Sequence, residues 1–229
     1  MAVISERFDR LGRLSGGASE GKRYRLGIMG GTFDPIHIGH LACAEQARVA
    51  FGLDVVVFVP TGNPAFKQGQ EVTPAIDRLR MCRLACLGNA AFDVSSLETD
   101  REGVTYTIDT LRAFREHYPG NVELYFITGA DAMFSILKWR DPEEIARLAH
   151  LIAVTRPGYE FSNEIKEFFA ISTGFDITYL EMTALSISSS MLREWVAEGK
   201  SIRYLTPSSV WAYIKEKRLY RGASSDAPA

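Results

Sequence analysis

Short apolar runs alternate with helical patterns along most of the sequence, and this alternation limits the fold more than any other feature. The run VVVFVP at 55–60 has no polar residue at alternate positions, which is typical of a strand covered on both faces. Further strands are predicted at 24–29, 92–98, 123–129 and 150–155. Helices are predicted at 40–51, 74–88, 107–118 and 142–149, with a final pair at about 188–198 and 207–217. This order predicts an α/β fold with a doubly wound parallel sheet, helices on both faces and a small C-terminal helical part.

Composition and charge are those of an ordinary folded domain. The chain has 229 residues, of which 46% are hydrophobic and 24% are charged, and its formal net charge is −2. This charge provides no broad positive field for nucleic acid, and no apolar run is long enough to span a membrane. The amino terminus lacks the apolar core of a signal peptide, so we expect a cytoplasmic protein. The sequence leaves a homo-oligomer open.

Small polar residues near both ends predict the domain boundaries. Residues 1–22 include SGGASEGK and are expected to form a flexible extension with a short helix near 3–14, while 221–229 form a flexible tail. One folded domain is expected over 23–220. The chain has three cysteines, and no further Cys/His pair completes a zinc set. We therefore expect Cys43, Cys82 and Cys86 to be buried free thiols.

The stretch GIMGGTFDPIHIGH at 27–40 follows the first predicted strand and has the features of an anion site. Gly30 and Gly31 leave room for backbone N–H groups to approach a ligand closely. His37 and His40 share one face if a helix starts near residue 37, at the carboxyl end of the strand. A phosphate suits such a helix start. The stretch matches neither the dinucleotide fingerprint nor the P-loop, and a zinc site or two unrelated histidines are the alternatives.

A second stretch, SISSSMLR at 186–193, has residues that suit the same ligand. Ser188 and its serine neighbours can cap a helix, and Arg193 lies about one turn later, within reach of phosphate oxygens. Together, GGTFDPIHIGH and SISSSMLR resemble the two signatures of the HxGH-type nucleotidyltransferase superfamily, with Ser190 in place of the usual threonine. The resemblance implies a Rossmann-like fold and a nucleotidyltransferase domain over 23–220.

Three further stretches make the resemblance more specific. These are VPTGNPAFK at 59–67, EGVTYTIDTL at 102–111 and ITGADAMFSILKWRDPEEI at 127–145. With the two signatures they closely resemble the bacterial nicotinate-nucleotide adenylyltransferases over about residues 24–217. This family joins nicotinate mononucleotide to the AMP part of ATP and releases deamido-NAD and pyrophosphate. The resemblance implies direct in-line attack by the nicotinate nucleotide on the α-phosphate of ATP.

The resemblance also implies the residues of the site. Catalytic roles are implied for His37, His40 and Arg193. Contacts to ATP are implied for Gly30, Gly31, Thr32, Phe33, His37, His40, Gly129, Asp131, Ile187, Ser188, Ser189 and Arg193. Contacts to nicotinate mononucleotide are implied for Lys67, Thr105, Tyr106, Lys138 and Trp139. The implied cofactor is Mg²⁺, held by the phosphates of ATP with no protein ligand, and the implied partners are ATP and nicotinate mononucleotide, without nucleic acid or membrane.

Elementary chemistry supports several of these roles. The flat, electron-poor nicotinate ring stacks well on an indole, which favours Trp139 over plain core packing. Backbone N–H groups around Thr105 and Tyr106, at a helix start, would favour the nicotinate carboxylate over an amide. No Lys or Arg stands out in the sequence as a partner for that carboxylate. Asp131 suits the ribose hydroxyls of adenosine, or alternatively a helix cap, and Arg156 is a weaker candidate for the adenosine pocket.

Three alternatives remain at this point. A sibling enzyme could transfer the nucleotide to pantetheine phosphate or glycerol phosphate, although Trp139 and TYTIDTL at 105–111 disfavour both acceptors. Nicotinamide mononucleotide could be the main substrate, since it differs from the acid by one functional group. A regulator that binds nucleotides without catalysis would be expected to have lost His37, His40 or Arg193, and all three are present. The segment 61–71, rich in Gly and flanked by prolines, is a hypothetical substrate lid.

Overall fold

The computed structural model describes residues 4–14, 22–64, 72–129, 135–155, 167, 174–183 and 185–221. Its strands are β1 (Tyr24–Gly31), β2 (Val55–Pro60), β3 (Asn63–Pro64), β4 (Phe92–Val94), β5 (Val104–Thr105), β6 (Val122–Gly129), β7 (His150–Thr155) and β8 (Ile177–Glu181). Its α-helices are α1 (Glu6–Leu14), α2 (Ile38–Phe51), α3 (Ala75–Ala85), α4 (Thr107–His117), α5 (Pro142–Leu148), α6 (Ser189–Ala197) and α7 (Ser208–Glu216). A short 3₁₀ helix spans Ile136–Lys138.

Six strands form one parallel sheet in the order β4-β2-β1-β6-β7-β8. The order reverses at β1, which pairs with β2 on one side and with β6 on the other. In open α/β sheets ligands bind beyond the carboxyl ends of the strands at this reversal. The predicted α/β fold with a doubly wound parallel sheet is therefore confirmed, and Gly30 and Gly31 lie at the reversal.

The core consists of two apolar layers, one on each face of the sheet. Along β2, Val55, Val57 and Val59 belong to one layer, while Val56 and Phe58 belong to the other. Helices α1, α4 and α5 cover the first layer, and helices α2, α3, α6 and α7 cover the second. The all-apolar run at 55–60 is thus buried on both faces, as predicted. The three cysteines are buried free thiols.

Most predicted elements are present, and the differences have local causes. The strand predicted at 92–98 ends at Val94, because the chain turns at 97–100 and the Asp100 N–H donates to the Ser96 carbonyl at 2.9 Å. The helix predicted at 74–88 ends at Ala85, and Gly88 follows with φ of 112°. Strand β8 was not predicted, because as a half-exposed edge strand it lacks a strong apolar signal.

The hypothesised helix near 3–14 is present as α1, and part of the expected flexible extension is packed. Phe8 is buried and meets the rings of Tyr24 and Tyr118 edge-on at 6.1 and 5.0 Å. The Ser5 hydroxyl and the Arg7 N–H both donate to the Asp93 carboxylate, at 2.7 and 2.9 Å. The segment from Ser5 to Phe8 is therefore anchored at the amino-terminal edge of the sheet. Among the described residues, no helix is long and apolar enough to cross a membrane.

Candidate active site

A cavity of about 630 Å³ opens at the carboxyl edge of the sheet, beside the reversal of strand order. Seven of the residues expected at the site line it: Gly30, Gly31, Thr32, Thr105, Tyr106, Lys138 and Trp139. Its wall includes further residues that the sequence did not single out, among them Glu98 and Arg140. One cavity therefore brings together residues from both the expected ATP set and the expected nicotinate set.

Close packing at the end of β1 requires a glycine at position 31. A Cβ on Gly31 would lie 2.9 Å from the Phe33 ring, so any side chain there would displace that ring. Phe33 itself is buried with φ of 50°, in the left-handed region that is unusual for a bulky residue. The ring of Phe33 meets His40 edge-on at 5.1 Å. The loop after β1 is thus folded tightly back onto the start of α2.

His37 and His40 form a stacked pair at the start of α2. His37 is the N-cap residue, and the two rings stack with their centroids 3.6 Å apart. The backbone N–H of His37 donates to Nδ1 of His40 at 3.2 Å, which leaves the proton of a neutral His40 on Nε2. Burial, and secondarily the neighbouring His37, lowers the pKa of His40 from 6.5 to about 3. His40 is therefore a neutral hydrogen-bond donor at pH 7.

Gly39 allows the two histidines to stack. A Cβ built on Gly39 would lie 3.0 Å from Nδ1 of His37 and 4.0 Å from the backbone oxygen of Ile187. The first contact is tighter than side chains normally tolerate, and the second shows that the segment before α6 borders this turn. The spacing of HIGH at 37–40 therefore reflects a packing requirement at Gly39 as well as the placement of two imidazoles.

The second signature meets the first at the start of α6. The Ser188 hydroxyl caps this helix by accepting from the Met191 N–H at 3.2 Å. The Ser189 hydroxyl donates to the Pro35 carbonyl at 2.9 Å, and Nη1 of Arg193 donates to the Asp34 carbonyl at 2.8 Å. Two stretches that lie far apart in sequence are thus joined by direct hydrogen bonds, and Arg193 is fixed next to the turn that precedes α2.

The opposite side of the cavity is formed by the start of α4 and the segment after the 3₁₀ helix. Tyr106 is the N-cap of α4 without a capping side-chain bond, so the first N–H groups of the helix lack an intrahelical acceptor. Trp139 is half-buried, donates from Nε1 to the Ser135 hydroxyl at 3.1 Å and meets Phe126 edge-on at 6.1 Å. A flat indole and a positive helix end therefore lie on the same side.

Arg78 is a further residue that sequence reasoning missed. It is 1% exposed and donates to three backbone carbonyls, those of Thr32, Gly62 and Thr73, at 2.8, 3.0 and 2.8 Å. These carbonyls belong to the loop after β1, the turn after β2 and the segment before α3. Burial lowers the pKa of Arg78, whereas the charge of Asp34 raises it. The only sequence signal was a charged residue inside the apolar pattern of α3.

Some expected site residues are not part of the cavity wall. Gly129 is the last residue of β6 and pairs with Val154. A Cβ built on Gly129 would have no described atom within 4 Å. His37, His40, Ile187, Ser188, Ser189 and Arg193 group around the turn at Asp34, next to Phe33. Lys67, Asp131 and Arg156 lie outside the described residues, as does most of the hypothetical lid at 61–71.

Three comparisons with known proteins show the family and the fold of the chain. The cytidylyltransferase-like family model matches residues 28–195. A probable nicotinate-nucleotide adenylyltransferase of Desulfitobacterium hafniense is 49% identical over 204 residues, which cover 86% of this chain and 96% of that protein. One of Frankia casuarinae is 50% identical over 196 residues, covering 86% of this chain and all of that protein.

A solved structure shares the fold at low sequence identity. It is that of Plasmodium falciparum nicotinic acid mononucleotide adenylyltransferase complexed with NaAD, which superposes with a TM-score of 0.70 at 19% identity and covers 86% of this chain and 98% of its own. At this identity the likeness concerns the fold alone. The matched family model and the two curated relatives carry the assignment: the chain belongs to the cytidylyltransferase-like family and, within it, to the nicotinate-nucleotide adenylyltransferases.

Proposed function

We propose that this chain is an adenylyltransferase that joins nicotinate mononucleotide to the AMP part of ATP, forming deamido-NAD and releasing pyrophosphate for NAD biosynthesis. The observation that carries the proposal is the direct contact between the two signatures, Ser189 with Pro35 and Arg193 with Asp34. Because of this contact, a neutral histidine, hydroxyl groups and a guanidinium lie close to one helix start. Such a set of donors suits a triphosphate.

The reaction needs no nucleophile from the protein. An oxygen of the nicotinate nucleotide's phosphate forms the new bond to the α-phosphorus of ATP, and the bond to the oxygen bridging to the β-phosphate breaks in line. Catalysis then consists of positioning and of stabilising charge. His40 would donate from Nε2 to the reacting phosphate, while His37, Ser188 and Arg193 hold the other phosphate oxygens.

The loop after β1 and the segment before α6 would bind the rest of ATP. We assign ATP contacts to Gly30 and Gly31 at the end of β1 and to Thr32 and Phe33 on the loop after it. Ile187 before α6 and Ser189 at its first position are assigned to ATP as well. The close approach of the loop backbone, enforced by the packing of Phe33 against Gly31, supports the first group. Gly129 and Asp131, at and just beyond the carboxyl end of β6, remain proposed contacts to the adenosine.

Nicotinate mononucleotide would occupy the other side of the cavity. Trp139 offers a face for the ring, and the N–H groups at the start of α4, around Thr105 and Tyr106, suit its carboxylate. Lys138 lines the same wall and would balance negative charge. Lys67 remains a proposed phosphate contact on the basis of the family resemblance.

Mg²⁺ fits this site as a companion of ATP. Within the described ranges no group of three or more His, Cys, Asp or Glu side chains could hold a metal ion. The nearby Asp34 carboxylate is already engaged by the Thr73 N–H and the Tyr220 hydroxyl. Mg²⁺ commonly keeps several waters and binds through substrate phosphates. When bound, it would neutralise charge on the triphosphate.

Pyrophosphate release tests the proposal. The protein is mixed with ATP, Mg²⁺ and either nicotinate or nicotinamide mononucleotide, and both products are measured. We expect rapid release with the acid and a much lower kcat/KM with the amide. Comparable kcat/KM values would instead define a dual-specificity enzyme. Release with neither acceptor would contradict the proposed reaction.

A further inference from the structure

We propose that Arg140 sets the preference for the acid, by placing a positive charge where the nicotinate carboxylate binds. This inference rests on the proposed function and deepens it, because it assigns a residue to the choice between two acceptors. The two acceptors differ by one charge at neutral pH, since nicotinate carries a carboxylate where nicotinamide carries an uncharged amide. A nearby cation therefore discriminates between them in a way that an uncharged donor cannot.

The position of Arg140 is the first argument. Arg140 lines the cavity together with Tyr106 and Trp139, and its guanidinium carbon lies 5.1 Å from the centre of the Tyr106 ring. Tyr106 is also the N-cap of α4. The guanidinium thus lies over the ring of the residue that begins α4, in a cavity whose wall also includes the indole of Trp139.

The charge of Arg140 is weakly compensated, which is the second argument. Its nearest carboxylate partner among the described residues is Asp141, with 4.0 Å between Nε and Oδ2. The same Asp141 oxygen accepts from Nη2 of Arg112 at 3.2 Å, so its charge is shared. An arginine without a close carboxylate partner remains available to pair with a carboxylate ligand.

A third argument comes from comparing Arg140 with the other charged residues of the cavity wall as partners for the nicotinate carboxylate. Among the residues that the structure describes, the charged ones lining the cavity are Glu98, Lys138 and Arg140. Glu98 is 7% exposed, and its carboxylate accepts from the Thr110 hydroxyl at 2.6 Å. Burial raises the pKa of Glu98. Of the two cations in the described part of the wall, Arg140 is the one that lies over Tyr106.

The test compares kcat/KM for nicotinate and nicotinamide mononucleotide in the wild type and in Arg140→Gln. We expect the acid-to-amide ratio to fall by about 5- to 10-fold in the variant, the effect of losing one charge-assisted contact at an exposed position. The fall should come from a higher KM for the acid, with kcat/KM for the amide changed less than about 2-fold. Added salt should raise KM for the acid more in the wild type than in the variant.

Two further variants separate charge from structure. Arg140→Lys keeps the charge and should keep the ratio within about 3-fold of the wild type. Arg147→Gln removes an exposed charge of the same segment, on α5 and outside the cavity wall, and should leave the ratio unchanged. An unchanged ratio in Arg140→Gln, or an equal loss with both acceptors, would overturn the inference.

Failure of the inference can be told apart from failure of the proposed function. Acid turnover by the wild type, with an unchanged ratio in Arg140→Gln, removes Arg140 alone from the account. If the wild type turned over neither acceptor, calorimetric Kd values for the two nucleotides without ATP would make the same comparison. If the ratio of the Kd for the acid to the Kd for the amide were equal in wild type and variant, the Arg140 inference would be overturned as well.

Discussion

His40 owes its chemical state to its surroundings rather than to its residue type. Its Nδ1 accepts a backbone N–H, its ring lies between His37 and Phe33, and burial lowers its pKa to about 3. The one N–H of the neutral ring, at Nε2, therefore serves as a hydrogen-bond donor. A preorganised donor of this kind stabilises charge that develops in a transition state.

Replacing His40 tests this role directly. We expect His40→Ala to lower kcat by about 10²–10³-fold, as observed when one preorganised donor is removed elsewhere, with a smaller effect on KM for ATP. Steady-state kinetics with saturating nicotinate mononucleotide provide the measurement. His150→Ala, at the amino end of β7 and far from the cavity, is the matched control. Full kcat in His40→Ala would remove His40 from the mechanism.

The lowered pKa of His40 also predicts how stability depends on pH. Between about pH 6.5 and pH 3 the unfolded chain binds a proton at His40 that the folded chain does not bind. Lowering the pH through this window therefore favours unfolding, whereas the full contribution to stability is present above pH 6.5. The slope is at most about 1.4 kcal/mol per pH unit.

Urea unfolding at several pH values between 7 and 5 measures this slope. His40→Gln keeps an acceptor for the His37 N–H and cannot titrate, so its free energy of unfolding should fall less steeply with pH than that of the wild type. The difference should reach about 1–2 kcal/mol at pH 5. Parallel curves for the two proteins would show that the titration of His40 does not contribute.

At the scale of secondary-structure elements, Arg78 joins three segments, and two of them, the loop after β1 and the turn after β2, line the cavity. From α3 its guanidinium reaches the carbonyls of Thr32, Gly62 and Thr73. A lysine keeps the charge but cannot donate in three fixed directions. We expect Arg78→Lys to lower kcat by about 10- to 100-fold, since small displacements of positioning groups cost rates of this order.

The measurement must separate this effect from a general loss of stability. Kinetics are recorded well below the Tm of each protein, and unfolding is followed in parallel. Arg80→Lys, an exposed position two residues along α3, provides the control and should match the wild type. If Arg78→Lys lowers Tm but leaves kcat of the folded enzyme within about 2-fold of the wild type, Arg78 is structural only.

The secondary-structure elements also show which parts of the fold and the site could be predicted from the sequence. Strands such as 55–60 were predictable because burial on both faces leaves an uninterrupted apolar run. The two-residue strands β3 and β5 were not, since two residues have no periodicity. Beside them Gly62 packs against the Glu98 backbone, where a Cβ would lie 2.1 Å from the Glu98 carbonyl oxygen. Arg140 was missed for a similar reason: its position over Tyr106 depends on how two distant segments meet.

At the scale of the whole molecule, the candidate site and the packing of Phe8 lie at opposite edges of the sheet. The candidate site lies at the carboxyl edge, where the loops after β1 and β2 begin. The aromatic contacts of Phe8 lie at the other edge, against Tyr24 at the start of β1 and Tyr118 at the end of α4. The alternation of the sequence predicted a parallel sheet, but not its strand order, because neighbours in the sheet need not follow one another in the chain.

This separation predicts the effect of removing the Phe8 side chain. Phe8, on α1, is 3% exposed, so Phe8→Ala should lower the free energy of unfolding by about 3 kcal/mol. For a chain of this size, that change lowers Tm by about 6–12 °C. Calorimetry gives the Tm, and Val49→Ala, 65% exposed on α2, is the control. KM for both substrates and kcat should remain within about 2-fold of wild type at 25 °C, because Phe8 packs against the opposite edge of the sheet. A loss of kcat with an unchanged Tm would mean instead that α1 acts on the site, through β1 or α4.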